Sequence, residues 1–417
     1  MTMEIRKIPG GVTAAIGYSA SSCMAGIKYQ NRTDMAMIFS DAPCAAAGTF
    51  TSNVVKAAPV LWDRDIVKSA QPVQAVVVNS GIANAGTGRE GMEICEKTAE
   101  AVGKQLGIPA RSVLIGSTGV IGMQIPLEKI ETGVALLAAG LGDSLEKGTQ
   151  ASRAIMTTDT VNKETAYEIE LPDADGTGTV TVTVGGMSKG SGMIHPNMCT
   201  MLAYITTDCA VDQALLQKLV SGIVADTFNM ISVDGDTSTN DTLLVLANGK
   251  AGNRPITEED ESCRVFAEAL FAVCRELAMK MAADGEGATR LIESTVLRMD
   301  TKENARVLAR SVVSSSLVKA MVFGKDANCG RILCALGYAG PAFDPDRTEI
   351  RMKGESGEVV FCRGGKVLPF DEELALSILS EDKVCFLSDM NMGGESATAW
   401  GCDLTYEYVK INGDYRT

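Results

Sequence analysis

The chain has 417 residues, 46% hydrophobic and 22% charged, with a net charge of -14 and an isoelectric point near 4.8. At about 150 residues per domain, that length allows two or three domains or one large intertwined unit with a sizeable core. The acidic balance argues against nucleic acid or an anionic membrane surface as a partner, and a single histidine excludes a His-rich metal site.

In chain order, the first ninety residues read as β-rich, with strands over 35–39, 48–51 and 74–79. Small residues over 79–86 then form a loop where backbone amides can approach a ligand. Met92, Cys95, Ala99, Val102 and Leu106 share one face of a helix over 91–106. A strand over 113–115 runs into Gly116-Ser-Thr-Gly119, and Pro126 opens a second helix. A hydroxyl-rich loop over 155–160 precedes the alternating strand 179–184.

The stretch Lys189-Gly-Ser-Gly-Met-Ile-His-Pro-Asn-Met-Cys-Thr200 is a glycine-punctuated loop, and Met201–Thr206 is a short apolar run that reads as a buried strand. If the chain were split before Thr200, that residue would carry a nucleophilic hydroxyl and a free amine to activate it. The same residues also fit a glycine-rich turn before an ordinary strand. With one histidine in the chain, whatever activates a nucleophile is His195 or no histidine at all.

Further on, Asp212 caps a helix, 232–242 is polar and turn-rich, and 243–246 is a strand. A long helix begins at Thr257 and ends at Asp284-Gly-Glu-Gly-Ala-Thr289, and a single helix spans 303–322. The tail reads as β: a hairpin around 353–357, a strand over 384–387, and a long strand over 397–411 on the alternation of Thr398, Trp400, Cys402, Leu404, Tyr406 and Tyr408. Interleaved helices and strands give an α/β (α+β) fold with layered sheets. No signal peptide or membrane-spanning run is read. None of the twelve cysteines forms a C-x-x-C pair, so reduced thiols and a cytoplasmic location are expected.

The motif from Lys189 to Leu202 resembles the self-cleavage motif of the glutamate N-acetyltransferase (ornithine acetyltransferase) family. Thr51-x-Asn-x-Val-x-Ala-Ala-Pro59, Asn79-Ser-Gly-x-Ala-Asn-Ala85, Ser117-Thr-Gly-Val-Ile-Gly122 and Ile155-Met-Thr-Thr-Asp159 match as well. So do Asp284-Gly-Glu-Gly-Ala-Thr289, Trp400-Gly-Cys-Asp403 and the terminal run from Tyr408 to Thr417. The chain departs from the family's usual residues at His195, Cys199, Ala327 and Cys329.

The resemblance implies a helix–sheet–sheet–helix fold of the N-terminal-nucleophile type, one intertwined unit built from two self-cleaved chains, 1–199 and 200–417. Cleavage would fall between Cys199 and Thr200. It implies acetyl transfer from N2-acetyl-L-ornithine to L-glutamate in arginine biosynthesis, through an acetyl-Thr200 intermediate. Acetyl-CoA is a second donor in some members, and no cofactor or metal is needed. Thr118 and Gly119 would form the oxyanion hole; Thr157, Lys189, Thr200, Glu286, Asn412 and Thr417 would contact substrate. Lys189 suits a carboxylate and Glu286 an ammonium group. The cleaved chains would associate as a heterotetramer of two alpha and two beta chains. Two other readings are an N-terminal-nucleophile amidohydrolase and an uncleaved metabolite-binding relative; a third makes Cys199 the nucleophile with His195 as base.

Overall fold

The computed structural model describes residues 5–195 and 201–414. The expected mixed α/β class holds: the described residues form two sheets with α-helices packed on them. The chain divides into two compact units that interlace along the sequence. One comprises 1–190, 197–225 and 237–277; the other comprises 191–196, 226–236 and 278–417. The chain passes from one unit to the other immediately after Gly190, at the start of the glycine-punctuated loop.

The first unit is built on nine strands. Their order is Arg6–Ile8, Lys163–Pro172, Thr179–Lys189, Leu202–Thr207, Thr242–Ala247, Met35–Phe50, Val73–Ile82, Val113–Val120, with Tyr18–Cys23 paired to Met35–Phe50. Leu202–Thr207 and Thr242–Ala247 are buried along their whole length, as strands covered on both faces must be. Lys189 pairs with Leu202 across an antiparallel ladder, and Thr242 pairs with Leu202 across a parallel one. Val73–Ile82 and Val113–Val120 run parallel, which sets Ser80 opposite Thr118 and Gly81 opposite Gly119.

The second unit holds seven strands, in the order Lys366–Val367, Gly357–Arg363, Glu349–Gly354, Lys383–Asp389, Leu291–Met299, Glu395–Cys402, Ile231–Ser232. The helix Lys302–Ser314 packs on Leu291–Met299 and Glu395–Cys402 through Ala305, Leu308, Ala309, Val312 and Val313. Its N-terminus is capped by Thr301, whose hydroxyl accepts from the Asn304 amide.

Several expected elements change in the structure. The helix expected over 303–322 is two helices, Lys302–Ser314 and Ser316–Gly324, bent by 52°. Ser315 adopts an extended backbone; its N–H donates to Val312 O at the end of the first helix and its hydroxyl accepts from the Val318 amide at the start of the second, so one residue ends one helix and begins the next. The strand expected over 397–411 stops at Cys402, and Tyr406–Gly413 is a helix. The Asp403 carboxylate accepts from the amides of Thr289 and Arg290, and Thr405 Oγ1 donates to Gly287 O. Those polar ties turn the chain out of the sheet before the alternation runs out. The helix Ala58–Lys68 lies in the stretch expected to be β-rich, and Leu145–Ala154 and Cys329–Gly337 are helices for which no element was expected. No single helix among the described residues is long and apolar enough to cross a membrane.

Candidate active site

In the first unit, Thr118 and Gly119 lie near the end of Val113–Val120, and the residues around them are fixed by buried side-chain amides. Asn240 Nδ2 donates to Ser117 O at 2.8 Å and to Ala83 O at 2.5 Å, and Thr239 Oγ1 donates to Asn240 Oδ1 at 2.7 Å. Ser117 Oγ donates to Asn79 Oδ1 at 2.7 Å, while Asn79 Nδ2 donates to Ile82 O at 2.9 Å. Gly119 has φ of +129°, and a Cβ there would collide with the carbonyl group of Gly81. Only glycine serves at this point, for its backbone angle and for the close approach of two strands. Asn240 and Asn79 were not among the expected site residues. The signal at Asn240 was a polar residue inside a polar turn, which does not distinguish a brace from a solvated loop, whereas Asn79 stood at the end of the apolar strand expected over 74–79.

Lys189 and Thr157 belong to the same unit and meet at Asp159. Thr157 N donates to Asp159 Oδ2 at 3.0 Å, and Lys189 Nζ lies 3.9 Å from that oxygen. Arg32 Nη2 donates to Thr157 O at 3.2 Å, holding the loop from its other side.

In the second unit, the start of the glycine-punctuated loop is tied down residue by residue. Ser191 Oγ donates to Asp284 O at 2.7 Å, and Glu286 N donates to Ser191 O at 3.0 Å. Both carboxylate oxygens of Asp234 accept from this segment: Oδ2 from Met193 N at 2.6 Å and Oδ1 from Ile194 N at 2.8 Å. Val233 N donates back to Ile194 O at 2.6 Å. Glu286 is buried, and its Oε2 accepts from Asn412 Nδ2 at 2.6 Å. A Cβ on Gly192 would meet the Glu286 carboxyl, so the loop lies directly on the acid at this glycine. Glu286 and Asn412, far apart in sequence, are thus brought together, with Ser191 and Gly192 against the first of them.

His195 closes the described part of the loop. Arg310 Nη2 donates to its Nε2 at 2.9 Å, which leaves the proton on Nδ1, 3.0 Å from Ser232 Oγ. The acceptor nitrogen a general base would need is therefore already taken, which disfavours His195 as the base for Cys199. Burial first, then the Arg310 guanidinium, lowers the His195 pKa from 6.5 to about 4, against an opposing pull from Asp234. Between those two values the unfolded chain takes up a proton that the native imidazole refuses, so stability falls as the pH drops through this window. His195→Gln should flatten that fall, giving a smaller loss of Tm between pH 6.5 and 4 than the parent shows. Equal losses in the two proteins would refute the assignment.

Cys199, Thr200 and Thr417 lie outside the described residues. Thr118, Gly119, Thr157 and Lys189 fall in one unit, and Glu286 and Asn412 in the other. No group of metal-ligating side chains occurs among the described residues.

The ArgJ family model matches residues 19–417. The chain belongs to the ArgJ family. It is 49% identical over 412 residues to the arginine biosynthesis bifunctional protein ArgJ of Symbiobacterium thermophilum, covering 98% of this chain and 99% of that relative. The protein of the same name from Thermotoga neapolitana is 47% identical over 402 residues (96% and 99% covered). That from Bacillus subtilis is 42% identical over 417 residues (99% and 98% covered). Among solved structures, the argJ protein of Bacillus halodurans aligns at 38% identity with a TM-score of 0.44, covering 48% of this chain and 100% of that one. The ornithine acetyltransferase of Mycobacterium tuberculosis, complexed with ornithine, aligns at 40% identity with a TM-score of 0.42 and the same coverage. The enzyme class expected from the sequence stands: this ArgJ chain is an arginine-biosynthesis acyltransferase of the glutamate N-acetyltransferase type.

Proposed function

We propose that this ArgJ chain cuts itself between Cys199 and Thr200 and then moves acetyl groups from N2-acetyl-L-ornithine to L-glutamate, giving L-ornithine and N-acetyl-L-glutamate. Acetyl-CoA is the second acetyl donor, in keeping with the word bifunctional in the names of the curated relatives. No resident cofactor takes part, the cleaved chains assemble as two alpha and two beta chains, and the enzyme works in the cytoplasm. The observation that carries the reading is the braced strand end at Thr118 and Gly119, in a chain whose processing motif agrees with its family.

In the cleavage step, Thr200 Oγ attacks the Cys199 carbonyl carbon and the peptide nitrogen leaves as the new α-amine of Thr200. Water then hydrolyses the ester, freeing the Cys199 carboxylate and regenerating the hydroxyl. The hydroxyl proton passes to the departing nitrogen in this step; the α-amine so freed, with a reference pKa of about 7.7–8.0, is partly neutral near pH 7 and serves as general base only in the transfer that follows. Threonine's branched β-carbon restricts χ1 and limits the directions the hydroxyl can take.

In the transfer step, Thr200 Oγ attacks the acetyl carbonyl of N-acetylornithine. Negative charge on the carbonyl oxygen is met by the Thr118 hydroxyl and the Gly119 N–H, donors fixed before the charge develops. The C–N bond breaks, ornithine departs with the proton held by the α-ammonium, and acetyl-Thr200 remains. The amine of glutamate then attacks that ester, so the acetyl group leaves on nitrogen and the threonine hydroxyl returns. Lys189 binds a substrate carboxylate, Glu286 binds the ornithine ammonium with Asn412 holding the acid in place, and Thr157 and Thr417 complete the substrate contacts.

N-terminal sequencing of the purified protein should return a second chain beginning Thr200-Met-Leu-Ala-Tyr. Ornithine release from N-acetylornithine should depend on glutamate, and N-acetylglutamate should also form from acetyl-CoA. Ornithine release that ignores glutamate would establish an amidohydrolase instead, and a single intact chain would leave an uncleaved metabolite-binding relative.

A further inference from the structure

We infer that Asp159 is a positioning residue for the acyl donor, acting through Lys189, and that buried Lys163 locks it in that role. The inference rests on the proposed role of Lys189 as the cation that binds a substrate carboxylate.

Both side chains of the Asp159–Lys163 pair are fully enclosed, and the Lys189 side chain is only 10% exposed. Burial alone would raise the Asp159 pKa and neutralise the acid. Lys189 and then Lys163 outweigh burial and hold the carboxyl well below the usual carboxylate range. Its two oxygens are divided among distinct donors. Oδ1 accepts from Lys163 Nζ at 2.7 Å and from Gly190 N at 2.7 Å, and Oδ2 accepts from Thr157 N at 3.0 Å. Lys189 Nζ, at 3.9 Å, feels the charge of Oδ2 without donating a hydrogen bond to it.

The division follows from where these residues stand. Lys163 opens the strand Lys163–Pro172 and pairs with Ser188, one residue before Lys189 on the neighbouring strand. Its ammonium also donates to Val161 O at 3.2 Å, which fixes it inside the 159–163 turn. With Lys163 and two main-chain amides gripping the carboxylate, Asp159 cannot rotate to close on Lys189. An arriving substrate carboxylate therefore need not displace an Asp159–Lys189 hydrogen bond. The same acid sets the positions of Thr157 and Gly190, so it links a proposed substrate contact to the residue where the processing loop begins.

Lys163→Met keeps the length and apolar stem of the side chain but releases Asp159 to swing onto Lys189. The KM for N-acetylornithine should rise about tenfold, on the scale of one charge-assisted hydrogen bond, with kcat changed by less than about twofold. Asp159→Asn, which cannot accept from all three donors, should raise the same KM at least as much; where that variant folds poorly, Lys163→Met carries the test. Lys189→Met tests the underlying reading separately. If Lys189→Met leaves the KM unchanged, the carboxylate role of Lys189 is wrong and the inference goes with it. If Lys189→Met raises the KM while Lys163→Met only lowers Tm, the buried pair is structural and the positioning role is overturned.

Discussion

Thr200→Ala should leave the purified protein as one chain and abolish both glutamate-dependent ornithine release and acetyl-CoA-dependent synthesis. One hydroxyl is asked to do two jobs: to open the peptide bond before it, and to carry the acetyl group afterwards. Removing a covalent nucleophile commonly costs several orders of magnitude in kcat, of order 10⁶ in a well-studied hydrolase. Folding should survive, because the strand that follows is held by ladders on both sides, Lys189 to Leu202 and Thr242 to Leu202. Thr200→Ser should cleave and turn over more slowly, since its hydroxyl is free to occupy more rotamers. Mass spectrometry of the two variants and a ninhydrin-type assay of released ornithine suffice. Glutamate-dependent turnover by the alanine variant above background would place the nucleophile at another residue.

Thr118→Ala is expected to lower kcat by about 10²–10³ while leaving KM for N-acetylornithine nearly unchanged, the usual signature of one lost oxyanion donor. The fold around it does not depend on the hydroxyl. Position 118 is set by its main-chain pairing with Ser80 and by the grip of Asn240 and Asn79 on neighbouring Ser117. A variant with native Tm and a slow chemical step would satisfy both halves of that argument. A rise in KM at constant kcat would instead assign Thr118 to ground-state binding.

Much of this arrangement is legible in the sequence because its parts are local. Apolar runs such as 74–79 and 243–246 mark buried strands, and the glycine-flanked Lys189–Thr200 stretch announces a loop that must pass close to other groups. What is not legible depends on partners far away along the chain. Asn240 looks like any turn residue until its amide is seen to hold Ser117 and Ala83, 123 and 157 positions distant. The helix Tyr406–Gly413 was hidden by an alternation that the Asp403 and Thr405 contacts override, so a tertiary tie defeated a correct local period. The break at Ser315 was hidden for the opposite reason. The apolar face continues through it, and only the cap geometry shows that the helix has restarted.

The nine-stranded sheet draws strands from both sides of the Cys199–Thr200 bond. Leu202–Thr207 is inserted between Thr179–Lys189 and Thr242–Ala247, and the latter is zipped in turn to Met35–Phe50. Withdrawing the later two strands would leave a gap flanked by two raw edges in what remained, and would strip neighbours from the pair removed. Open edges of that kind invite aggregation. The proposed cut at 199/200 would therefore leave every ladder of the sheet in place, and the two fragments would come apart only by unfolding it.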